Sequence, residues 1–470
     1  MGQSEICTLP ASQLATLLRK REVSPVELLA SVLARIDRYE PKLNCYVSLL
    51  REEATAAARL AEAEIRSGDY RGPLHGIPVA LKDIYDLAGA RTTASSRILA
   101  DNVARRDSTV SRKLKQAGAV IVGKTNLHEF AFGVTTNNPH YGPTRNPWDT
   151  SRVPGGSSGG SGAAVAASLC AAATGTDTGG SIRIPASLCG IVGLKPTFGR
   201  VSKAGVTPLS WSLDHTGPMT KTVEDAAIFL QAIAGYDPDD PTTVDVSVPD
   251  YRAAIGQDVK GLRLGIPREF FYDVVDEEVE AAVRAASQHF SSLGATVEEI
   301  SLPHIAYTTA AFPAIIHAEA ASFHEPWLLS RPQDYGEDVR SRLEIGLTVL
   351  ATHYVNSQRA RAVLMADFAA ALHQVDALVT PTMPTVAAPI GAETVVVRGE
   401  TRDLRPTYNR LTSPINLVGL PALSLPCGFS TAGLPIGLQL VGRAFDESTL
   451  LTLGHAYETS TEWHLRQPPL

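Results

Sequence analysis

Two hydrophobic patterns alternate along the chain, and their alternation predicts a layered α/β fold. Ser24-Pro25-Val26-Glu27 combines an N-cap serine, a proline at the first helical position and a glutamate that completes a capping box. Leu28, Leu29, Val32, Leu33 and Ile36 follow at helical spacing, so one side of this helix faces inward. A second helix, rich in Ala and Glu, is expected from about Glu52 to Arg66 and closes at Gly68. The pattern then changes to short apolar runs. Leu74 to Asp83 reads as a strand with Lys82 at its end, and Ala119 to Thr125 reads as a buried strand preceded by a helix around Ser108 to Ala117.

Farther along, Thr222-Val223-Glu224-Asp225 begins a helix that runs to about Ala234, and 235–249, rich in Asp, Pro and Thr, reads as a surface connection. Leu262 to Ile266, Asp276 to Leu293 and Thr296 to Ile300 form a strand, helix and strand. The pattern from Tyr307 to His373 is helical, and helices over roughly 302–373 are expected to cover the mouth of the site. Ala377 to Thr380, Ala422 to Leu425 and Gly437 to Val441 read as short strands. The sum is one α/β/α sandwich around a large mixed sheet, occupying 1–470 as a single domain.

Composition narrows the class. The chain has 470 residues, 44% of them hydrophobic and 19% charged, with a net charge of -7, which argues against a nucleic-acid surface. Five scattered cysteines (Cys7, Cys45, Cys170, Cys189, Cys427) form no C-x-x-C pair and read as reduced thiols. The first residues carry Glu5 and no apolar h-region, Met1-Gly2 is followed by Ile6 where a myristoylation signal needs Ser or Thr, and no run is long enough to span a membrane. A cytoplasmic protein without a membrane partner is expected. No HExxH or other closely spaced ligand set occurs, so neither a metal nor another cofactor is expected.

The chemistry concentrates in PGGSSGGSGAAVAASLCAAATGTDTGGSIRIPASLCGIVGLKPT, residues 154–197. Two glycine clusters, each holding or leading into serine, flank an alanine-rich segment. Glycine is worth its entropic cost mainly where φ is positive or something approaches the backbone closely. Gly160 to Thr174 reads as one buried helix whose N-terminal amides lie beside Ser157 and Ser158. Gly175 to Ser181 reads as a loop whose successive N–H groups face one point, the form of an oxyanion hole.

Two motif matches fail on context. Gly155-Gly156-Ser157-Ser158-Gly159 fits the nucleophile elbow G-x-S-x-G, but Asn146 to Pro154 before it reads as loop where an elbow needs a strand, and only His455 and His464 lie late enough to serve. Gly118 to Thr125 fits the P-loop pattern, but Ala119-Val120-Ile121-Val122 is itself the strand where a P-loop needs the loop.

GGSSGGS, GTDTGGSIRIPA and GLKPT, with GIPVALKD and GKTN upstream and GLPALSLPCG and LPIGLQLVG downstream, resemble the amidase signature family of serine hydrolases. The dense part of the resemblance covers about 24–235, with the signature core over about 70–235 and a substrate-shaping region over about 238–405. It implies a Ser-cisSer-Lys triad: Ser181 as the acylated nucleophile, Ser157 as the bridging serine on a cis peptide after Gly156, and Lys82 as the base. A serine hydroxyl needs an adjacent base, and burial at the end of an apolar strand lowers a lysine toward the working range. The oxyanion would meet N–H groups of Thr178, Gly179, Gly180 and Ser181. Asp177 and Arg183 read first as a mutual brace, and Ser158 as a hydrogen-bonding support. Phe130, Ala131, Phe132, Ile184, Leu209 and Trp211 are candidates for the substrate pocket, with core packing an equal reading for the aromatic rings and Leu209.

The resemblance implies hydrolysis of a linear carboxylic amide through an acyl-enzyme; aryl acylamides, fatty amides, esters and carbamates all share that chemistry. The rival within the family is the glutamine-hydrolysing A subunit of the tRNA-dependent amidotransferase, which typically has Gln in place of Ile184 and Asp near Asn409. Apolar Ile184 and neutral Asn409 favour a stand-alone amidase, a monomer or homodimer, acting on a small apolar or aromatic amide without nucleic acid.

Overall fold

Strands form at the short apolar runs, and the computed structural model, which describes residues 6–470, joins eleven of them in one sheet. In chain order they are β1 (Tyr46–Leu49), β2 (Pro78–Lys82), β3 (Val120–Thr125), β4 (Ala172–Asp177), β5 (Val192–Lys195), β6 (His215–Thr220), β7 (Arg263–Pro267), β8 (Thr296–Ile300) and β9 (Ala377–Pro381). After a separate hairpin of β10 (Thr394–Val397) and β11 (Glu400–Asp403), β12 (Ala422–Phe429) and β13 (Pro435–Gly442) complete the sheet. The spatial order is β1-β3-β2-β4-β6-β5-β12-β13-β9-β7-β8. β2 runs parallel to both β3 and β4, and β7 runs parallel to β8 and β9, while the central pairs from β4 to β9 are antiparallel. Helices flank this mixed sheet, as the α/β/α expectation requires. Met1, Gly2 and Glu5, on which the targeting expectation rests, lie outside the described residues. Among the described residues no helix is long and apolar enough to cross a membrane.

Local rules account for several boundaries. The Ser24 hydroxyl accepts from the Glu27 N–H at 3.1 Å and the Glu27 carboxylate accepts from the Ser24 N–H at 2.8 Å, so the capping box starts the helix Pro25–Leu43. Arg51–Ser67 ends at Gly68, whose φ of 98° is the left-handed cap a helix terminus favours. The helix Val223–Ile233 begins on the Thr222 hydroxyl.

The glycine-rich stretch departs from expectation. The helix is Gly159–Ala166 rather than 160–174, and it ends near Ser168, which takes a left-handed φ of 58°. The Ala171 N–H then donates to the Pro78 carbonyl at 2.9 Å, and Ala172 starts β4 between β2 and β6. Sheet pairing on both sides outweighs the helical preference of alanine, which is a weak local prior. Gly175, Thr176 and Asp177 therefore belong to a strand, and the expected loop shrinks to 178–181.

Candidate active site

β2 and β4 lie side by side, so their C-terminal ends deliver side chains to one place. Lys82 closes β2, and Thr174 and Thr176, two apart on β4, point to one face. The Thr174 hydroxyl accepts from the Lys82 backbone N–H at 2.9 Å, which fixes the end of β2. The Lys82 ammonium group donates to Ser157 Oγ at 2.8 Å and to Thr176 Oγ1 at 2.7 Å. Lys82 is 0% exposed. Burial pushes its pKa down to about 7, against the opposing pull of Asp177 and Asp214, so near neutral pH it exchanges between ammonium and free amine.

Ser157 follows a cis peptide from Gly156. A Cβ at Gly156 would lie 2.7 Å from the Thr135 nitrogen and 2.8 Å from the Val134 carbonyl carbon, so only glycine lets that segment pass. The Ser157 carbonyl accepts from the His128 N–H at 3.1 Å and the Thr136 hydroxyl at 3.3 Å. Ser158 ties the clusters together: its N–H donates to the Ser181 carbonyl at 3.3 Å, and its hydroxyl bonds both the N–H and the carbonyl of Thr176. Ser181 is 6% exposed, and its hydroxyl makes no hydrogen bond among the described residues.

Asp177 and Arg183 bear out the bracing reading. Both side chains are fully buried, and the guanidinium meets the carboxylate at 3.0 and 2.9 Å. The carboxylate also takes the N–H of Gly180 at 2.8 Å, that of Ile182 at 3.1 Å and the Asn416 amide at 2.8 Å. Burial works to raise the Asp177 carboxyl, but the Arg183 charge and these hydrogen bonds hold it well below the usual carboxylate range. Arg183 continues to Gln439 at 2.6 Å, Asn416 at 2.7 Å and the Thr412 carbonyl at 3.1 Å. One expected oxyanion donor is thereby committed, since the Gly180 N–H serves Asp177. The N–H groups of Thr178, Gly179 and Ser181 have no acceptor among the described residues.

A cavity of about 210 Å³ adjoins Thr176 and Thr178. Most of its exposed wall is apolar, from Ile84, Ala131, Val206, Pro208, Leu209 and Trp211, and the charged side chains Lys203, Asp214, Asp239 and Asp240 also border it. Trp211 is 61% exposed at the surface. Ala131, Leu209 and Trp211 line this cavity, whereas Phe130, Phe132 and Ile184 do not. Phe130, at a left-handed φ of 50°, turns into a ring cluster with His324, Trp327 and Tyr335. Phe132 lies beneath the guanidinium groups of Arg342 and Arg405. Ile184 packs with Val134, Val153 and Leu188 in a separate apolar cluster, where a Cβ on Gly180 would meet it at 2.8 Å. Asn409 lies off the cavity as well.

Helices from the 302–373 region reach the site. The ring of Phe312, on Thr308–Ser330, packs against Gly179 so closely that a Cβ there would lie 2.5 Å from it. Asp338, on Glu337–Leu347, holds His128 at 2.8 Å, and the His128 N–H in turn supports Ser157. Sequence reasoning missed Thr176, His128 and Thr136. The T-x-T spacing of 174–176 was the available signal, since period two puts both hydroxyls on the lysine side of a strand. Among the described residues no group of His, Cys, Asp or Glu side chains could hold a metal ion, and the five cysteines are buried and form no disulfide.

Residues 27–451 match the family model described as Amidase. The chain is 48% identical over 469 residues to a protein of Pseudomonas putida named Amidase, covering 99% of each. It is 45% identical over 491 residues to the A subunit of the Glutamyl-tRNA(Gln) amidotransferase of Moorella thermoacetica, again covering 99% of each. A solved structure from work on a vestigial protein complex and the origins of an s-triazine catabolic enzyme superposes with a TM-score of 0.93 at 36% identity, covering 96% of this chain and 98% of that one.

Proposed function

The chain belongs to the amidase signature family of amide hydrolases, and on that premise we propose that it is a stand-alone amidase that forms an acyl-enzyme on Ser181. The observation that carries this reading is Lys82, buried with a lowered pKa and 2.8 Å from Ser157 Oγ. The free amine of Lys82 takes a proton from Ser157, which takes one from Ser181 as Ser181 Oγ attacks the carbonyl carbon. Negative charge builds on the carbonyl oxygen and is met by the N–H groups of Thr178, Gly179 and Ser181. The relay then returns the proton to the leaving nitrogen, the C–N bond breaks, and water releases the acid from Ser181 by the same steps.

The apolar walls of the cavity support an uncharged, apolar or aromatic amide. Ile184 and Asn409 lie off the cavity, so the contrast they offered with the amidotransferase chain carries no weight. Aryl acylamides fit this reading, and esters or carbamates of similar shape share its chemistry.

The 45% identity to the amidotransferase chain favours a second reading, glutamine hydrolysis within a complex. The deciding experiment assays the purified single chain against anilides, primary amides, esters, carbamates and glutamine. Turnover of an anilide without partner proteins supports the stand-alone reading; release of ammonia from glutamine alone, dependent on added partner proteins, overturns it.

A further inference from the structure

One wall of the cavity beside Thr176 and Thr178 is not held in place by burial. Trp211 lines it with a residue exposure of 61%, so its ring gains little from packing, yet the backbone around it is fastened on every side. The Trp211 carbonyl accepts from the Lys203 ammonium group at 3.0 Å, and the Ser212 carbonyl accepts from Arg361 Nη2 at 3.2 Å. The residues that flank the ring, Ser210 and Ser212, converge on a single carboxylate. Glu319 Oε2 accepts from the Ser210 hydroxyl at 2.5 Å and the Ser212 N–H at 2.9 Å. Glu319 Oε1 accepts from the Ser212 hydroxyl at 2.7 Å and from the Tyr354 hydroxyl at 2.8 Å.

Glu319 lies on Thr308–Ser330, about two turns after Phe312, so both side chains leave the same side of that helix. Phe312 meets Gly179, and Glu319 meets the turn that carries Trp211. The loop 178–181 has anchors of its own: the Gly180 N–H donates to Asp177 at 2.8 Å, and the Thr412 hydroxyl donates to the Gly179 carbonyl at 2.6 Å. Asp214 likewise keeps the Thr178 hydroxyl and the Leu209 N–H without help from Glu319. Loss of the Glu319 carboxylate therefore falls on Trp211 rather than on the loop. An aromatic side chain fixed before the ligand arrives spares the ligand the cost of ordering it.

We propose that Glu319 is a positioning residue that pre-orders Trp211 as an aromatic wall for a ring on the substrate, and that it thereby sets the preference for aromatic over ring-free amides. This rests on the hydrolase reading above, and the test separates the two.

Benzamide and acetanilide, with a ring on either side of the scissile bond, are compared with ring-free butyramide. In Glu319→Leu at least one of the two ring-bearing amides should show KM raised about fivefold, the worth of one aromatic contact, with kcat held within about twofold. Butyramide should keep both constants. Glu319→Gln should restore the native KM, because its amide oxygen accepts from the Ser212 N–H and the Ser210 hydroxyl while its NH2 donates to the hydroxyl oxygens of Ser212 and Tyr354. In a Trp211→Ala background Glu319→Leu should have no further effect, since both changes remove the same wall. Equal losses on all three amides, a fall in kcat with KM unchanged, or additive losses in the double variant overturn the proposal. Should Glu319→Leu fail to fold, Glu319→Asp takes its place, keeping the charge but falling one methylene short of the two serines.

A second readout needs no turnover. The chain has four tryptophans, Trp148, Trp211, Trp327 and Trp463, and Trp327 shares the helix of Glu319. In fluorine NMR of the fluorotryptophan-labelled chain, the Trp211 line should narrow in Glu319→Leu as the ring is freed, while the other three stay as they are. A Trp211 line that does not change, or a change in all four, overturns the proposal. Absence of hydrolysis of any amide would sink the hydrolase reading and still leave the hold of Glu319 on Trp211 tested.

Discussion

Thr176→Val should move the acid limb of the pH profile downward by about one unit. Lys82 Nζ has two side-chain acceptors, Ser157 Oγ at 2.8 Å and Thr176 Oγ1 at 2.7 Å, and valine keeps the β-branched shape that suits β4 while removing the second. A hydrogen bond to a charged group is worth about 1.5 to 3 kcal/mol, and one between neutral groups about 0.5 to 1.5 kcal/mol. Losing Thr176 Oγ1 therefore disfavours the ammonium form over the amine by roughly 1 to 1.5 kcal/mol, which is about one pKa unit. Burial already places Lys82 at about 7. Only the free amine accepts the Ser157 proton, so kcat/KM rises with pH through this pKa, and a lower pKa carries the rise to lower pH, near about 6 in the variant. The assay is kcat/KM for an anilide from about pH 5 to 9 on both proteins. An acid limb that stays in place, or moves upward, would refute the view that Thr176 stabilises charged Lys82.

Ser181→Ala should abolish both anilide turnover and labelling by a fluorophosphonate; label found by mass spectrometry on Ser157 of the native chain would reassign the nucleophile. Lys82→Ala should slow an anilide by several orders of magnitude and a matched nitrophenyl ester by much less, because nitrophenolate departs without a proton; equal losses would exclude Lys82 from leaving-group protonation. Arg183→Met strands a buried carboxylate, so urea denaturation should show a loss of about 3 to 5 kcal/mol, and a loss under about 1 kcal/mol would contradict the bracing role.

The outline of the sheet was legible where a strand is a short apolar run, as at β2, β3 and β9. It was hidden at β5 and β6: Val-Gly-Leu-Lys and His-Thr-Gly-Pro-Met-Thr lack that pattern, and partners on both sides hold them in the sheet. The same tertiary pairing cut the alanine-rich helix short and made Ala172–Asp177 a strand. Lys82, Ser157 and Ser181 could be named because each sits in a contiguous motif, and the structure brings Lys82 to Ser157. Phe130, Phe132 and Ile184 turn away from the cavity that Ala131, Leu209 and Trp211 line, and sequence shows that a side chain is apolar but not which way it turns. Thr176 was readable from strand periodicity, whereas His128, whose ring meets Asp338 and Thr135 while its N–H meets Ser157, depends on packing between segments far apart in sequence.

The anchoring of Arg183 has a consequence for synthesis. Lys82, Ser157 and Ser181 all leave the ribosome in the first half of the chain, but the residues that anchor Arg183, namely Thr412, Asn416 and Gln439, are among the last to be made. A nascent chain thus holds all three residues of the proposed triad long before it holds the clamp on Asp177 and the loop that follows it. Strand β5 likewise waits for β12 to cover its edge. Hydrolytic competence is tied in this way to near-completion of translation, and a truncated product carrying the whole motif region is released without the means to set its loop.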